Sequence, residues 1–191
     1  MGKYKIIALI GKAGCGKDRV MREVLAAAPG RFNEIISCTT RPKREGEQEG
    51  VNYYYLTPEQ FVQKTLENKM LEATAFNGWA YGTSYDALRS NTINIGVFNP
   101  AGIDTLLRRK DIDLTVYRII CKEKTSLLRQ LNREEDPNVE EIIRRFGTDK
   151  ADFQELYFEH TILPNEDKKD LEKAVKTIIN QALPIGEQGQ E

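Results

Sequence analysis

The sequence has 191 residues, with 28 lysine and arginine residues against 29 aspartate and glutamate residues, for a net charge of −1. This length fits one domain, or one core with an inserted lobe, and such a chain needs no disulfide or metal to stabilise its core. The balanced charge argues against a general nucleic-acid or membrane-surface binder, because such proteins carry a basic excess. It is compatible with a small anionic ligand held by a local group of arginines.

Cysteine and histidine are scarce. The three cysteines (Cys15, Cys38 and Cys121) form no CxxC pair, and His160 is the only histidine. We therefore expect neither a disulfide framework nor a zinc or multi-histidine site, and we expect a reducing, cytoplasmic location. No apolar stretch approaches the ~20 residues of a membrane span, and the N-terminal apolar run is too short for a signal peptide.

The first elements in chain order have the pattern of an α/β domain. Residues 5–10 form a continuous apolar run, which is typical of a strand buried on both faces of a parallel sheet. A glycine-rich turn follows, then a helical pattern over 17–28 that ends at Pro29-Gly30. Residues 34–37 predict the next strand.

The residue composition changes between residues 38 and 84. The stretches 51–56 and 79–81 are aromatic and β-prone. Between them, Thr57 and Pro58 predict the N-cap and first turn of a helix that carries Phe61, Val62 and Leu66. We interpret this segment as a small inserted lobe of short strands and one helix.

The core pattern then returns. Strands are predicted at 93–98, 114–121 and 161–163, and helices at 101–109, 125–133 and 139–151. A last amphipathic helix carries apolar residues at helical spacing, namely Leu171, Ala174, Val175, Ile178 and Ile179. Residues 1–37 and 85–183 are thus expected to form the core around a five-stranded parallel sheet, with residues 38–84 as the lobe and 184–191 as a disordered tail.

A phosphate-binding loop is predicted between the first strand and the first helix. Residues 11–18 read GKAGCGKD and match the pattern GxxxxGK. In such a loop, small residues let backbone N–H groups surround a phosphate, the helix N-terminus adds positive potential, and the lysine reaches the β and γ phosphates. The alternative is a plain glycine-rich turn from strand to helix. The residues expected to bind the nucleotide are Gly11, Ala13, Gly14, Cys15, Gly16, Lys17 and Asp18.

Asp18 stands where this pattern usually has serine or threonine. A carboxylate is a hard oxygen ligand, so Asp18 is a candidate ligand for Mg²⁺, directly or through water. The alternative is an acidic residue in the first helical turn that is favoured by the helix dipole and contacts no metal.

A second segment points to a phosphate monoester. Arg41 and Arg44 lie three residues apart in a stretch constrained by Pro42, and planar guanidinium groups suit the several acceptor oxygens of such a group. Tyr53 can add a neutral donor. Taken alone, the segment also fits a solvated charged loop, since acidic residues stand nearby.

With these residues the sequence resembles the guanylate kinases. The pattern from Ser37 to Tyr53, SxTTRxxRxGExxGxxY, is similar to the GMP-binding signature of that family, and Leu71-Glu72 followed by Gly78 and residues 81–84, YGTS, resembles a second signature. The similarity extends over roughly residues 5–183. It implies a nucleoside monophosphate kinase fold with a parallel-sheet core, a GMP-binding lobe and a helical lid over ATP.

The resemblance also implies an activity and a site. The family transfers the γ-phosphate of ATP to GMP or dGMP with Mg²⁺. It implies that Arg41, Arg44, Tyr53 and Tyr81 hold the GMP phosphate. Ser37 and Glu72 would recognise guanine, and Thr83 would line the same pocket. Expected partners are these nucleotides only, with no nucleic acid or membrane, in a monomer or homodimer.

Phosphoryl transfer needs alignment and charge neutralisation rather than covalent chemistry, so no histidine base is expected. We expect Lys17 and Arg44 to act on the transferring group. Arg133, in a charged segment, and Arg145, on the following helix, are lid candidates within about residues 132–150. Arg144 is the alternative to Arg145, and for all three the competing interpretation is an ordinary surface position.

Two departures from the family pattern stand out. Residues 96–102 read GVFNPAG and lack the acidic residues that the family usually carries there, although Asn99 can accept a hydrogen bond. Residues 132–135, NREE, replace a run rich in arginine and glycine, which predicts weaker ATP affinity or slower lid closure. Two alternative functions remain at this point. One is a deoxynucleoside monophosphate kinase with broader base choice, and the other is a non-catalytic guanylate-kinase-like interaction module.

Overall fold

The architecture is described here from a computed structural model, for residues 3–44, 46–76, 78–133 and 135–183. The predicted tail, 184–191, and Glu134 of the predicted lid lie outside the described residues. In chain order the elements are β1 (Tyr4–Ile10), α1 (Lys17–Ala27), β2 (Phe32–Glu34), β3 (Cys38–Thr39), β4 (Tyr54–Tyr55), α2 (Pro58–Leu66), β5 (Met70–Phe76), β6 (Trp79–Ser84), a 3₁₀ turn (Tyr85–Ala87), β7 (Ile93–Val97), α3 (Pro100–Leu107), β8 (Ile112–Ile120), α4 (Glu123–Leu131), α5 (Val139–Asp152), β9 (Thr161–Pro164) and α6 (Lys168–Ala182).

The larger sheet confirms the predicted five-stranded parallel core of an α/β fold. Its strand order is β2-β7-β1-β8-β9, and β2 pairs with β7, and β8 with β9, in parallel. Strand β1 lies in the middle, which explains its composition. Its residues 6–10 are at most 4% exposed, because a central parallel strand is covered on both faces and has no place for a polar side chain.

Strand β2 lies two residues before the predicted 34–37. It pairs with β7 from Phe32 opposite Ile93 to Glu34 opposite Ile95. Phe32 is buried and anchors the start of the strand. The Ile35 N–H still donates to the Ile95 carbonyl at 2.8 Å, and after this bond the chain leaves the sheet.

A second sheet of four strands, in the order β4-β3-β6-β5, lies within residues 38–84. The predicted strand 51–56 is shortened to Tyr54–Tyr55, because Gly50 adopts a left-handed φ of 70° and its N–H donates to the Tyr53 carbonyl at 2.9 Å, which closes a turn. Helix α2 begins as predicted, with a capping box in which Thr57 and Gln60 bond each other's backbone N–H.

The chain divides into two compact units. The first spans Phe32–Leu114 together with the N-terminal residues to Ile7, and the second spans Ala8–Arg31 together with the residues from Thr115 onward. The second sheet falls inside the first unit, within the segment expected to be a lobe. The predicted domain boundaries at residues 37/38 and 84/85 remain a prediction.

In the second unit, α1 packs against α6. The buried residues of α6 are Leu171, Ala174, Val175 and Ile178, as the periodicity predicts, while Ile179 is only half-buried. Val20 and Val24 of α1 are fully buried. This pairing fixes the helix that begins at the glycine-rich turn.

Candidate active site

The glycine-rich turn after β1 is held in a conformation that only glycine accepts without strain. Gly14 has a left-handed φ of 73°, and a Cβ placed on it would lie 2.3 Å from the Ser126 carbonyl oxygen in α4. Gly16, the N-cap of α1, has a φ of 88°, and its Cβ would lie 2.4 Å from Asn165 Nδ2. The loop is thus seated directly on neighbouring backbone and side-chain atoms.

Asn165, which the sequence did not single out, supports this loop from the position directly after β9. It is 3% exposed and its Nδ2 donates to the Cys15 carbonyl at 2.8 Å. Arg129 of α4 in turn donates to the Asn165 and Glu166 carbonyls, each at 2.9 Å. Only folding reveals this support, because Asn165 lies 150 positions from Cys15 in the sequence.

Lys17 lies along the loop itself. Its Nζ donates to the Gly11 carbonyl at 2.8 Å and to the Lys12 carbonyl at 3.2 Å. The ammonium group is therefore kept at the loop, where a bound phosphate would offer it stronger, charged acceptors.

Asp18 is exposed in the first turn of α1. Among the described residues no group of three His, Cys, Asp or Glu side chains is placed to hold a metal ion. One carboxylate still fits Mg²⁺, because this ion keeps several waters and is commonly bound by one or two carboxylates plus substrate phosphates. The metal role of Asp18 remains a prediction.

An acidic residue of α5 contacts the phosphate loop. The Ala13 N–H donates to Asp149 Oδ2 at 2.5 Å, across 136 residues of sequence. This carboxylate bonds one of the backbone groups predicted to hold a nucleotide phosphate. No motif in the sequence indicated Asp149.

In the first unit, Arg41 lies among aromatic side chains. It is 9% exposed, and its guanidinium carbon is 5.5 Å from the centre of the Tyr53 ring. The Tyr53 ring is in turn 6.0 Å from that of Tyr81. The structure thus brings together three of the four residues expected to hold the GMP phosphate. The fourth, Arg44, is exposed close by in the chain.

Glu47 organises this arginine segment. It accepts from Arg41 Nη2 at 2.7 Å, from the Arg44 N–H at 2.8 Å and from the Tyr55 hydroxyl at 2.8 Å. Although burial raises the pKa of Glu47, these hydrogen bonds outweigh it and lower the pKa to about 2. Glu47 is therefore ionised at neutral pH and orients Arg41. The sequence alone shows acidic residues near the arginines without assigning them this role.

Glu72 and Thr83 form a buried polar pair on the second sheet. They lie opposite each other on β5 and β6, next to a β-bulge between Met70 and Glu72. Glu72 is 7% exposed, and Thr83 is fully buried. Burial raises the pKa of Glu72 to about 7, and the proximity of Thr83 opposes that rise. Within the described part of the chain, Thr83 Oγ1 is a buried polar atom with no hydrogen-bond partner.

The first turn of α3 closes in on this pair. A Cβ on Gly102 would lie 3.2 Å from Glu72 Oε2. Asn99 is the N-cap of α3, where its Oδ1 accepts from the Gly102 N–H at 2.7 Å, and its Nδ2 donates to Thr74 Oγ1 at 3.1 Å. The oxygen for which the sequence suggested a role as acceptor is thus already engaged in capping a helix.

Alternation along β6 places Tyr81 and Thr83 on one face of the second sheet. Thr74 and Glu72 lie opposite them on β5 and share that face. Ser37 is half-buried, and its carbonyl accepts from the Tyr54 N–H at 2.9 Å. The predicted guanine-binding and phosphate-binding residues are therefore carried by one sheet and the segments beside it, and their individual roles remain predictions.

The predicted lid arginines of α5 share one carboxylate. Glu141 accepts from Arg144 Nε at 2.7 Å and from Arg145 Nε at 2.8 Å. The hydrogen bond from Arg144 contributes most to a pKa of about 2 for Glu141. Arg133, between α4 and α5, is exposed. Arg144 is distinguished from Arg145 by a second hydrogen bond, from its Nη2 to Glu141 Oε1 at 2.9 Å.

Comparison with known proteins agrees with the family resemblance seen in the sequence. The family model described as guanylate kinase matches residues 3–182. The guanylate kinase of Mycoplasmoides gallisepticum is 30% identical over 179 residues, which cover 91% of this chain and 89% of that protein. The guanylate kinase of Thermotoga maritima is 27% identical over 187 residues, covering 93% and 86%.

A solved structure shares the fold. The crystal structure of guanylate kinase from Anaplasma phagocytophilum aligns with a TM-score of 0.63 at 18% sequence identity, covering 100% of this chain and 89% of that one. Across the described residues no helix is long and apolar enough to cross a membrane.

Proposed function

Because this chain belongs to the guanylate kinase family, we propose that it transfers the γ-phosphoryl group of ATP to the phosphate of GMP or dGMP, giving ADP and the corresponding diphosphate. The observation that carries the base assignment is the buried Glu72. Guanine presents N1–H and an amino group, two donors that one carboxylate accepts side by side. Adenine presents an acceptor at N1, which would face the carboxylate and leave it without a partner.

The surroundings of Glu72 favour this use. Burial raises its pKa to about 7, so the ionised carboxylate lacks sufficient partners in the protein alone. Two donors from guanine would stabilise the ionised form. Thr83 Oγ1, buried beside it and lacking a partner among the described residues, would bind the same ligand.

The phosphate of GMP would bind at Arg41, with Tyr53 and Tyr81 beside it and Arg44 reaching the group that is transferred. Arg41 is held in place by a hydrogen bond to Glu47 at 2.7 Å, so its guanidinium group is oriented before the ligand binds. The loop from Gly11 to Lys17 would hold the ATP phosphates. Catalysis then consists of alignment and charge neutralisation by Lys17 and arginines from the lid.

Magnesium would accompany ATP and neutralise part of the triphosphate charge when bound. Asp18 is the protein carboxylate proposed to contribute to its binding. The acid-free stretch at 96–102 and the engagement of Asn99 in helix capping support this assignment.

The test is a coupled assay of ADP formation with GMP, dGMP, AMP, CMP and dTMP, with and without Mg²⁺. We expect GMP and dGMP to exceed AMP in kcat/KM by at least about a hundredfold. Glu72→Gln should lower kcat/KM for GMP by about a hundredfold and leave KM for ATP unchanged. Glu59→Gln, on an exposed position of α2, is the matched control and should change neither.

A broader deoxynucleoside monophosphate kinase is the second candidate, because the chain lacks carboxylates at 96–102 that could add to base recognition. Comparable kcat/KM for dTMP or AMP and dGMP would favour it over the main proposal. No ADP formation with any acceptor would refute both.

A further inference from the structure

We propose that Asp149 sets the affinity for the phosphoryl donor by occupying the phosphate loop until the donor displaces it. The inference rests on the proposed function, since it concerns the same nucleotide-binding loop. It adds a residue that neither the phosphate-loop pattern nor the predicted lid arginines include.

The contact has the chemistry of the ligand that it would replace. Asp149 Oδ2 accepts the Ala13 N–H at 2.5 Å, which is a hydrogen bond from a backbone donor to a carboxylate oxygen. A phosphate oxygen in a phosphate loop is bound in the same way, by a backbone N–H directed at a negative oxygen. Asp149 is half-buried in the last turn of α5.

Lys17 of the loop is likewise bonded to protein groups where a phosphate would otherwise bind it. Lys17 Nζ donates to the Gly11 and Lys12 carbonyls at 2.8 and 3.2 Å. Both a backbone donor and the cation of the loop are therefore bonded to other groups of the protein. A bound triphosphate must displace both contacts. Only the contact with Asp149 places another negative charge close to the charges of the triphosphate.

Removing that charge should strengthen donor binding. A hydrogen bond to a charged group has a net value that corresponds to roughly tenfold or more in an equilibrium constant. Once the carboxylate is lost, the Ala13 N–H is bonded to water alone in the free protein and exchanges it readily for phosphate. Repulsion between Asp149 and the triphosphate also disappears.

The experiment measures binding of tripolyphosphate and of ATP, without Mg²⁺ and without GMP, by calorimetry on the full chain. We expect Asp149→Ala to bind both about tenfold more tightly than the parent, and Asp149→Asn, which keeps a neutral acceptor, to lie between. KM for ATP should fall in the same order, while KM for GMP stays constant. Glu140→Ala removes an exposed acid from the first turn of the same helix and should have no effect.

Unchanged or weaker binding of tripolyphosphate by both Asp149 variants would overturn the proposal and leave Asp149 as a structural link between α5 and the loop. A variant that loses Mg²⁺-dependent ATP affinity would also overturn it, because Asp149 would then act as a metal ligand. Thermal unfolding of each variant identifies a folding defect, and Asp149→Asn preserves an acceptor if the alanine variant does not fold. Tripolyphosphate binding needs no acceptor nucleotide, so this result is separable from failure of the GMP kinase activity.

Discussion

Replacing Glu72 with glutamine should stabilise the folded protein at alkaline pH while it weakens guanine binding. The carboxylate is 7% exposed, and burial raises its pKa from 4.5 to about 7. A carboxyl group with a raised pKa in the folded state retains its proton after the unfolded chain has lost its own. Stability must therefore fall as the pH rises between these two values.

The size of this stability change follows from the pKa shift of Glu72. Each unit of pKa difference corresponds to about 1.4 kcal/mol, so ionising Glu72 costs the folded state up to about 3 kcal/mol. Between pH 5 and pH 8 the parent protein should lose most of this amount, and Glu72→Gln, which stays neutral, should lose none of it. Their free energies of unfolding should differ by roughly 2–3 kcal/mol more at pH 8 than at pH 5.

The assay is urea unfolding at both pH values, followed by the fluorescence of Trp79. This residue is the only tryptophan, and it lies on β6 of the same sheet as Glu72. Glu47→Gln provides a control that should lower stability by nearly the same amount at pH 5 and pH 8, because the pKa of Glu47 is lowered to about 2. The stability contributed by that carboxylate is present above pH 4.5 and is lost as the pH falls towards 2.

The affinity for guanosine should change with pH in the direction opposite to the change in stability. Guanine donates two hydrogen bonds, so it requires ionised Glu72, and affinity for guanosine should drop up to about tenfold for each pH unit below 7. Guanosine is used because it has no phosphate that titrates in this range. A stability difference between Glu72→Gln and the parent that stays constant from pH 5 to pH 8 would refute the reasoning.

Three further substitutions test the supports of the two sites. Asn165→Ala removes the hydrogen bond to the Cys15 carbonyl, so it should lower the free energy of unfolding by about 1–3 kcal/mol and raise KM for ATP. A variant as stable as the parent would contradict the role of Asn165 in holding the loop. Asn99→Ala removes the cap of α3 and should cost about 1 kcal/mol of stability. It should raise KM for GMP more than KM for ATP, whereas equal changes would place its effect outside the proposed guanine pocket. Asp18→Ala should reduce Mg²⁺-dependent turnover far more than GMP binding, and unchanged turnover would exclude its metal role.

Local chemistry made the strand, glycine-rich turn and helix at residues 4–27 predictable. Glycines at positions 14 and 16, a lysine at 17, a preceding apolar strand and a following helix are all contiguous in the chain, and the structure has this strand, turn and helix. The start of α2 was predictable for the same reason, since Thr57 and Pro58 act through neighbours within one turn.

The second sheet was harder to predict. Composition indicated β-structure between 38 and 84, but only the resemblance to the guanylate kinases named Glu72 and Tyr81 as partners of the arginine segment. The short strand β4 was predicted too long, because a left-handed glycine at position 50 turns the chain where the aromatic run alone suggested extension.

Long-range contacts were beyond sequence reasoning. Asp149 and Ala13 are separated by 136 residues, and nothing in the pattern of α5 distinguishes Asp149 from the other polar residues of that helix. Glu47 lay within a recognised signature, yet its three hydrogen bonds depend on how the arginine segment folds back against Tyr55.

The contacts of Glu47 have a thermodynamic consequence for ligand capture. Arg41 is fixed by Glu47 and by the Pro42 carbonyl, at 2.7 and 2.8 Å, so its side-chain rotamers are restricted while the protein folds. A free arginine would lose up to about 2 kcal/mol of conformational entropy when it closed on a phosphate. Here that loss occurs on folding, before any ligand is met, and a phosphate bound at Arg41 as proposed would gain the interaction with little further ordering.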